Sequence, residues 1–198
     1  MLKFGKKVNY RPLLISLSTA LVIGALFGLN ISKSLGLKIG AIMFLLMILG
    51  HYLLVLPVLF NYWDSDKTSI HYSDIKKLNH RFLAIFLPIT LPIHTIDKAK
   101  IISISILGLP QHNPSLSSEL IVSEEGGFIY NLILMINDPV KIRLIMTDNS
   151  HIDLDLSRDY VAHQDETIGK LNLFLNEFNP EIIHLSNATR KAINIYQY

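Results

Sequence analysis

Two long apolar runs open the chain, and a region of shorter alternating segments follows them. Between Arg11 and Lys33 lie 21 residues without a charge, Pro12 to Ser32. As a helix this run is roughly 30 Å long, about the hydrocarbon thickness of a bilayer. Pro12 sits at its first turn, where a missing N–H costs little. A second uncharged run, Ile39 to Trp63, is 25 residues long and ends in Phe60, Tyr62 and Trp63, aromatic residues suited to the headgroup level. The pattern predicts a two-helix transmembrane anchor over residues 1–63, with spans at about 12–32 and 39–62. A cleaved signal peptide is the rival for the first run, because Lys3, Lys6 and Lys7 precede it. The run is longer than a typical signal core, however, and continues into a second span without a small-residue cleavage site.

After Asp64 the period changes to two. Val140, Ile142, Leu144 and Met146 alternate with Lys141, Arg143 and Ile145, and Ile152, Leu154 and Leu156 with His151, Asp153 and Asp155. Keeping both apolar sets on one face requires an odd-length connection, so the pattern predicts a three-residue loop with Asn149 in or near the left-handed region. That register sets Arg143 across from Asp153 or Asp155. Further strands are predicted at Ser69–Tyr72, Ile101–Leu107, Glu119–Ser123 and Phe128–Ile136, the last two joined through Glu124-Glu125-Gly126-Gly127. Asp165 can cap a final helix whose stripe is Ile168, Leu171, Phe174, Leu175 and Phe178. These elements make an α+β domain over residues 64–179, followed by a tail, 180–198, with room for one or two helical turns. Phe82 to Ile96 is uncharged and apolar but broken by Pro88 and Pro92. It reads as a buried strand or a segment dipping into the membrane interface, and its alternative is a third span.

Charge sharpens this division. Of the 18 Lys and Arg, six lie before Asp64, where there is no acid, and all 16 acids lie from Asp64 onward. A basic membrane-proximal part suits anionic headgroups, whereas a net acidic distal part argues against nucleic acid as a partner. Lys3, Lys6, Lys7, Arg11, Lys76, Lys77 and Arg81 are the candidate lipid-headgroup contacts. Two bases, Lys33 and Lys38, occupy the turn between spans, against four in the N-terminal tail and four soon after the second span (Lys67, Lys76, Lys77, Arg81). The positive-inside rule then predicts a multi-pass cell-membrane protein with both termini cytoplasmic. Within the spans, His51 is the one ionisable side chain. It is expected to bond Ser16, Ser18 or Thr19 across the helix pair, with a proton relay or ligand site as the alternative. Gly24 and Gly28 have the spacing for close helix approach, within the hairpin or between copies, so a homo-oligomer is one expectation.

Candidate chemistry adds little. Cysteine is absent, excluding disulfides and thiolate sites. The eight histidines contain no pair at metal-ligand spacing, and His94 with Asp97 is a weak pair beside Pro92. The acidic run Asp148, Asp153, Asp155 and Asp159 lacks the glycine-containing loop of a calcium site and reads as a solvated sheet face. No nucleophile elbow or phosphate loop is present, and Asn187-Ala188-Thr189 is a glycosylation triplet of a length that arises by chance. Neither a cofactor nor an enzymatic activity is expected.

The order of a two-span hairpin, antiparallel strands and one closing helix resembles membrane-anchored bacterial proteins with a pleckstrin-homology-like domain. It is carried by Tyr62 to Tyr72 (YWDSDKTSIHY), Pro92 to Ile106 (PIHTIDKAKIISISI) and the helix Asp165 to Phe178. The insert Pro110–Ser118 and the tail depart from that pattern. The resemblance implies a partly open antiparallel barrel closed by a C-terminal amphipathic helix, serving as a non-catalytic interaction platform for a protein or lipid partner. The alternatives are an accessory or immunity protein against membrane-active peptides, and a small membrane enzyme or transporter subunit using His51 with His80, His94 or Asp97.

Overall fold

The computed structural model describes residues 1–109 and 127–194. In chain order the elements are β1 (Leu2–Gly5), α1 (Arg11–Asn30), α2 (Lys33–Leu45), a π-helical stretch Leu46–Tyr52, α3 (Leu53–Leu59), β2 (Tyr62–Ser65), β3 (Ser69–Ser73), α4 (Leu78–Phe86) and β4 (Ile93–Asp97). Then come β5 (Ile101–Leu107), α5 (Gly127–Asn137), β6 (Lys141–Met146), β7 (His151–Asp155), α6 (Ser157–Ala162), α7 (Gln164–Leu175), β8 (Ile183–His184) and α8 (Asn187–Asn194). Two compact units result. A helical unit comprises Lys6–Asn61 and Ser73–Ile93, and an α+β unit comprises Met1–Gly5, Tyr62–Tyr72 and the described residues from His94 onward. The chain thus begins in the α+β unit, leaves it after β1, and returns to it twice.

In the helical unit, α1 packs along the continuous helix Lys33–Leu59 formed by α2, the π stretch and α3. Both helices are long and apolar enough to span a membrane. Ser32 caps α2 by accepting the Leu35 N–H at 3.3 Å, so the two helices are joined by only Ile31 and Ser32. Their contact is a seam of small residues. A Cβ at Gly36 would overlap the carbonyl oxygen of Gly24 and lie 2.5 Å from Gly28 Cα, and one at Gly40 would lie 3.0 Å from the Ala20 carbonyl oxygen. Gly24 and Gly28 therefore serve the approach of helices within the hairpin. An open apolar groove of about 610 Å³ runs beside this seam, lined by Leu17, Leu21, Leu37, Ala41 and Phe44, with Lys33 among its lining.

The α+β unit holds two four-stranded sheets, ordered β1-β2-β3-β4 and β7-β6-β5-β8, not closed into a barrel. The partly open barrel expected from the sequence is thus replaced by two separate sheets. Trp63 is the hub of the core. It is fully buried, stacks on Phe4 at 4.1 Å between ring centres, meets Phe174 edge-on at 5.3 Å, and donates its indole N–H to the Asp155 carbonyl at 3.0 Å. This corrects its assignment to a headgroup-level aromatic belt. The second long helix stops at Leu59, and residues 62–65 at once pair with β1 on one side and β3 on the other. Tyr62 is buried as well, its hydroxyl donating to Asp64 at 2.6 Å.

The hairpin β6–β7 has the predicted form. Ile142 faces Leu154 and Leu144 faces Ile152, the Met146 N–H donates to the Ser150 carbonyl, and Asn149 closes the three-residue loop at φ 62°. Arg143 lies opposite Asp153 and holds it with two hydrogen bonds of 2.8 and 2.9 Å. The final helix starts one residue before the expected cap, at Gln164, so Asp165 sits inside its first turn rather than capping it. Ile168, Leu171, Phe174 and Leu175 are buried as expected, and Phe178 packs against the same core. The strand expected at Phe128–Ile136 is instead α5. Its run GFIYNLILMIN is apolar at almost every position and so satisfies a period of two or of 3.6, leaving tertiary context to decide. The strand expected at Glu119–Ser123 lies outside the described residues. Beyond Pro180 the chain adds β8, parallel to β5 with Ile104 opposite Ile183, and then α8, whose Ile193 is buried.

Two predictions follow from these contacts. Gly36→Ile forces α1 and α2 apart and lowers the thermal midpoint of the detergent-solubilised protein, with a cost of at least the roughly 1–3 kcal/mol of overpacking. Gly50→Ala, where an added Cβ meets nothing within 4 Å, leaves the midpoint unchanged or raised. The second concerns Asp66 in the β2–β3 turn. Its carboxylate accepts the N–H groups of Thr68 and Ser69 at 2.8 and 2.7 Å, and these bonds hold it well below the usual carboxylate range. A depressed folded-state pKa means stability that is present above the unfolded value and lost as pH falls through the folded one. Asp66→Asn should therefore be less stable than the parent at neutral pH, with the gap in midpoint closing under strong acid.

Candidate membrane interface

Because the helices of the hairpin run antiparallel, the start of α1 and the end of α3 share one end. The Lys6 N–H donates to the Asn61 carbonyl at 3.1 Å there. Of the seven bases singled out from the sequence, six belong to this helical unit: Lys6, Lys7, Arg11, Lys76, Lys77 and Arg81. Lys7, Arg11, Lys76 and Lys77 are exposed, and Lys6 is half-buried. Lys3 is exposed on β1 of the other unit, opposite Asp64.

Arg81 is used differently. Its guanidinium donates to three carbonyls: Nε to Ile75 at 3.2 Å, Nη2 to Lys76 at 3.0 Å, and Nη1 to Leu53 at 3.1 Å. The Leu53 carbonyl is available for a reason written in the sequence. In an α-helix it would accept from residue 57, but that residue is Pro57 and has no N–H. The preceding turns are π-helical, with the Leu53 N–H donating five residues back to Ile48. Arg81 therefore supplies the donor that Pro57 removes, tying α4 to the second long helix. Around this tie Leu56, Phe60, Ile75, Ala84 and Ile85 form a buried apolar cluster. Arg81 thus acts as an internal fastener, and the bases on this unit's surface are its lysines and Arg11.

The polar residues weighed as a reactive set are not brought together. His51 is exposed on the helix surface, meeting the Tyr52 ring edge-on at 4.9 Å. It forms no bond to Ser16, whose hydroxyl donates to Pro12 four residues back in its own helix at 2.8 Å. His80 bonds the Asp74 carbonyl at 2.7 Å within the helical unit. In the α+β unit, His94 stacks on Tyr72 and the Asp97 carboxylate accepts the Ala99 N–H. Among the described residues no group of three or more His, Asp or Glu is placed to hold a metal ion.

The acidic run is consumed by hydrogen bonds and one ion pair. Asp148 holds Ser150 in the β6–β7 turn, Asp153 pairs with Arg143, Asp155 accepts the Ser157 N–H at 2.8 Å, and Asp159 accepts the Gly5 N–H at 2.6 Å. In the chance glycosylation triplet, Thr189 is buried and donates to the Leu109 carbonyl at 2.8 Å.

Sequence reasoning missed one polar cluster. Asp64, almost wholly buried, accepts from the Tyr62 hydroxyl and lies 3.0 Å from His71 Nδ1. Burial first, then the hydrogen bond and charge of Asp64, push the Tyr62 phenol up to about 12, so it remains a donor across the physiological range. The available signal was the i, i+2 spacing of Tyr62 and Asp64 on a short strand. Comparison with protein-family models, curated proteins and solved structures finds no match to this chain.

The Arg81–Leu53 link is open to a double-mutant cycle. Arg81→Ala leaves a half-buried carbonyl without a donor and should cost about 1–3 kcal/mol of unfolding free energy in detergent. Pro57→Ala restores the helical N–H, so in that background the same change should cost less by about 1 kcal/mol. Equal costs in both backgrounds would show that Arg81 acts through its other two carbonyls alone.

Proposed function

We propose that the chain is a non-enzymatic, membrane-anchored interaction protein: the hairpin crosses the cell membrane twice, and the α+β unit is presented on the cytoplasmic side. The observation that carries this reading is the pairing of β1 with β2, with Phe4 opposite Trp63 and Gly5 opposite Tyr62. Strands in one sheet lie on one side of a bilayer, so the chain between Gly5 and Tyr62 crosses an even number of times. Two apolar helices of 20 and 27 residues fit that number. The four bases that precede α1 or begin it, against Lys33 and Lys38 in the first turns of α2, favour the cytoplasmic side for the sheet.

The interaction role draws on the same unit. Several of its carboxylates are spent on turns and cross-strand pairs, while α7 keeps Leu173 exposed. An exposed apolar residue on a helix face is a common element of docking a peptide or protein. The comparison with pleckstrin-homology-like platforms of membrane-anchored bacterial proteins rests on the order of hairpin, strands and helix, the two sheets not being closed into a barrel. On this reading the lysines near the hairpin's ends contact anionic headgroups.

Protease protection of the full-length protein tests the topology. Tags at the N- and C-termini should both resist protease in intact spheroplasts and both be digested in inverted vesicles. Tags on opposite sides would overturn the two-crossing anchor, and both exposed in spheroplasts would overturn the orientation.

A further inference from the structure

We propose that residues 78–93, comprising α4 and the turn that follows it, lie in the headgroup–acyl boundary of the bilayer as a third, in-plane attachment of the helical unit. The inference rests on the reading of the hairpin as membrane-spanning and names a surface that the reading itself does not require.

Helix α4 is apolar on both its inner and its outer side. Its inner side, Ala84 and Ile85, is wholly buried with Leu56 and Phe60. Its outer side repeats Leu78, Phe82 and Phe86 at intervals of four, all exposed, and the exposure continues through Leu87, Ile89 and Ile93, with Ile89 82% accessible. A helix on the aqueous surface of a protein turns a polar face outward, and this one turns out leucine and phenylalanine. No charged residue occurs between Arg81 and Asp97.

The depth of α4 along the second long helix points the same way. The Arg81 guanidinium is fastened to the Leu53 carbonyl. Leu53 lies six residues before the end of the second long helix at Leu59, about 9 Å along its axis. An amphipathic helix in the interface buries its apolar face about 5–10 Å into the headgroup–acyl boundary. The fastening therefore holds α4 at interfacial depth, where an arginine satisfied by three carbonyls is tolerable. Lys76 and Lys77, exposed just before α4, then stand at the phosphate layer.

Strand pairing and length exclude a crossing by this segment. β3 and β4 flank the segment and are neighbours in one sheet, so the chain between them cannot cross the bilayer once. Leu87, ahead of Pro88, leaves the helical region at φ −136°, ψ 63°, ending α4 after nine residues, and nine helical residues are about 14 Å, far short of a span. What is left for an exposed apolar segment tied to a span is to lie along the surface.

The lack of cysteine makes the test clean, since a single introduced cysteine carries one label. Full-length Phe82→Cys, Ile89→Cys, Val22→Cys and Lys170→Cys variants would be labelled with an environment-sensitive nitrobenzoxadiazole dye. Each would be reconstituted into vesicles of phosphatidylcholine and phosphatidylglycerol. The expected result is blue-shifted emission at positions 82 and 89, shielded from aqueous iodide and quenched several-fold more by shallow than by deep spin-labelled lipid. Position 22 should be quenched best by the deep label and position 170 only by iodide. Iodide quenching at 82 and 89 with position 22 still deep would overturn this inference and leave the hairpin reading standing, as would best quenching at 82 and 89 by the deep label. Iodide quenching at position 22 as well would overturn both.

Discussion

The structure depends on one pairing of strands far apart in sequence. β1 and β2 are separated by both long helices, yet they join in register, with Phe4 stacked on Trp63 at their centre. Aromatic stacking and the indole bond to Asp155 make this a costly contact to break, since it would open the core against Phe174 and strand a buried donor. At Gly5 the backbone turns with φ 69°, and the N–H is held by the Asp159 carboxylate, so the chain leaves the sheet at a defined point. Within the helical unit, the Lys6 N–H bonds the Asn61 carbonyl, so the two ends of the hairpin meet. A two-residue link at the other end and a seam of glycines complete the constraint, because helices whose ends are held together can remain in contact along their length only if the facing residues are small.

The second constraint is the accounting of backbone hydrogen bonds. Pro57 removes one donor from a helix long and apolar enough to lie in lipid, where no water could replace it. Arg81 answers from α4 with a guanidinium, whose planar fork can serve three carbonyls at once. The same logic runs through the α+β unit. Asp66, Asp148, Asp155 and Asp159 each accept backbone N–H groups, and Lys98 bonds the Asp66 carbonyl and Glu177 while lying over the Phe178 ring. An acidic surface that looks available in sequence is mostly committed to turns and strand ends.

Legibility followed the range of the interactions. The two long helices and the β6–β7 hairpin could be read directly, because an uncharged run and a strict alternation around a turn are local signals. Even Asn149 in the left-handed region followed from the odd loop length. Residues 128–136 could not be assigned by period, since an all-apolar run fits both. Trp63 was misplaced because an aromatic residue after a span serves equally as a belt or as a core residue, and only its pairing with a strand of four residues near the N-terminus decides. β1 itself gave no signal for the same reason. At the interface, the bases could be listed from sequence, but Arg81 could be told from its neighbours only through its bond to Leu53, 28 residues away.

The parity of crossings brings these constraints together. A sheet acts as a topological marker: each excursion that begins and ends in it must cross a bilayer an even number of times. The excursion from β1 to β2 contains two helices of spanning length and accommodates two crossings. The excursion from β3 to β4 contains one apolar segment too short to cross even once, so its even number is zero. Its hydrophobicity then needs another cause than spanning. If the second long helix lies in lipid, as proposed, fastening by Arg81 supplies the cause: a segment held against the end of that helix would meet the same solvent, and apolar outward residues suit a solvent that is not water.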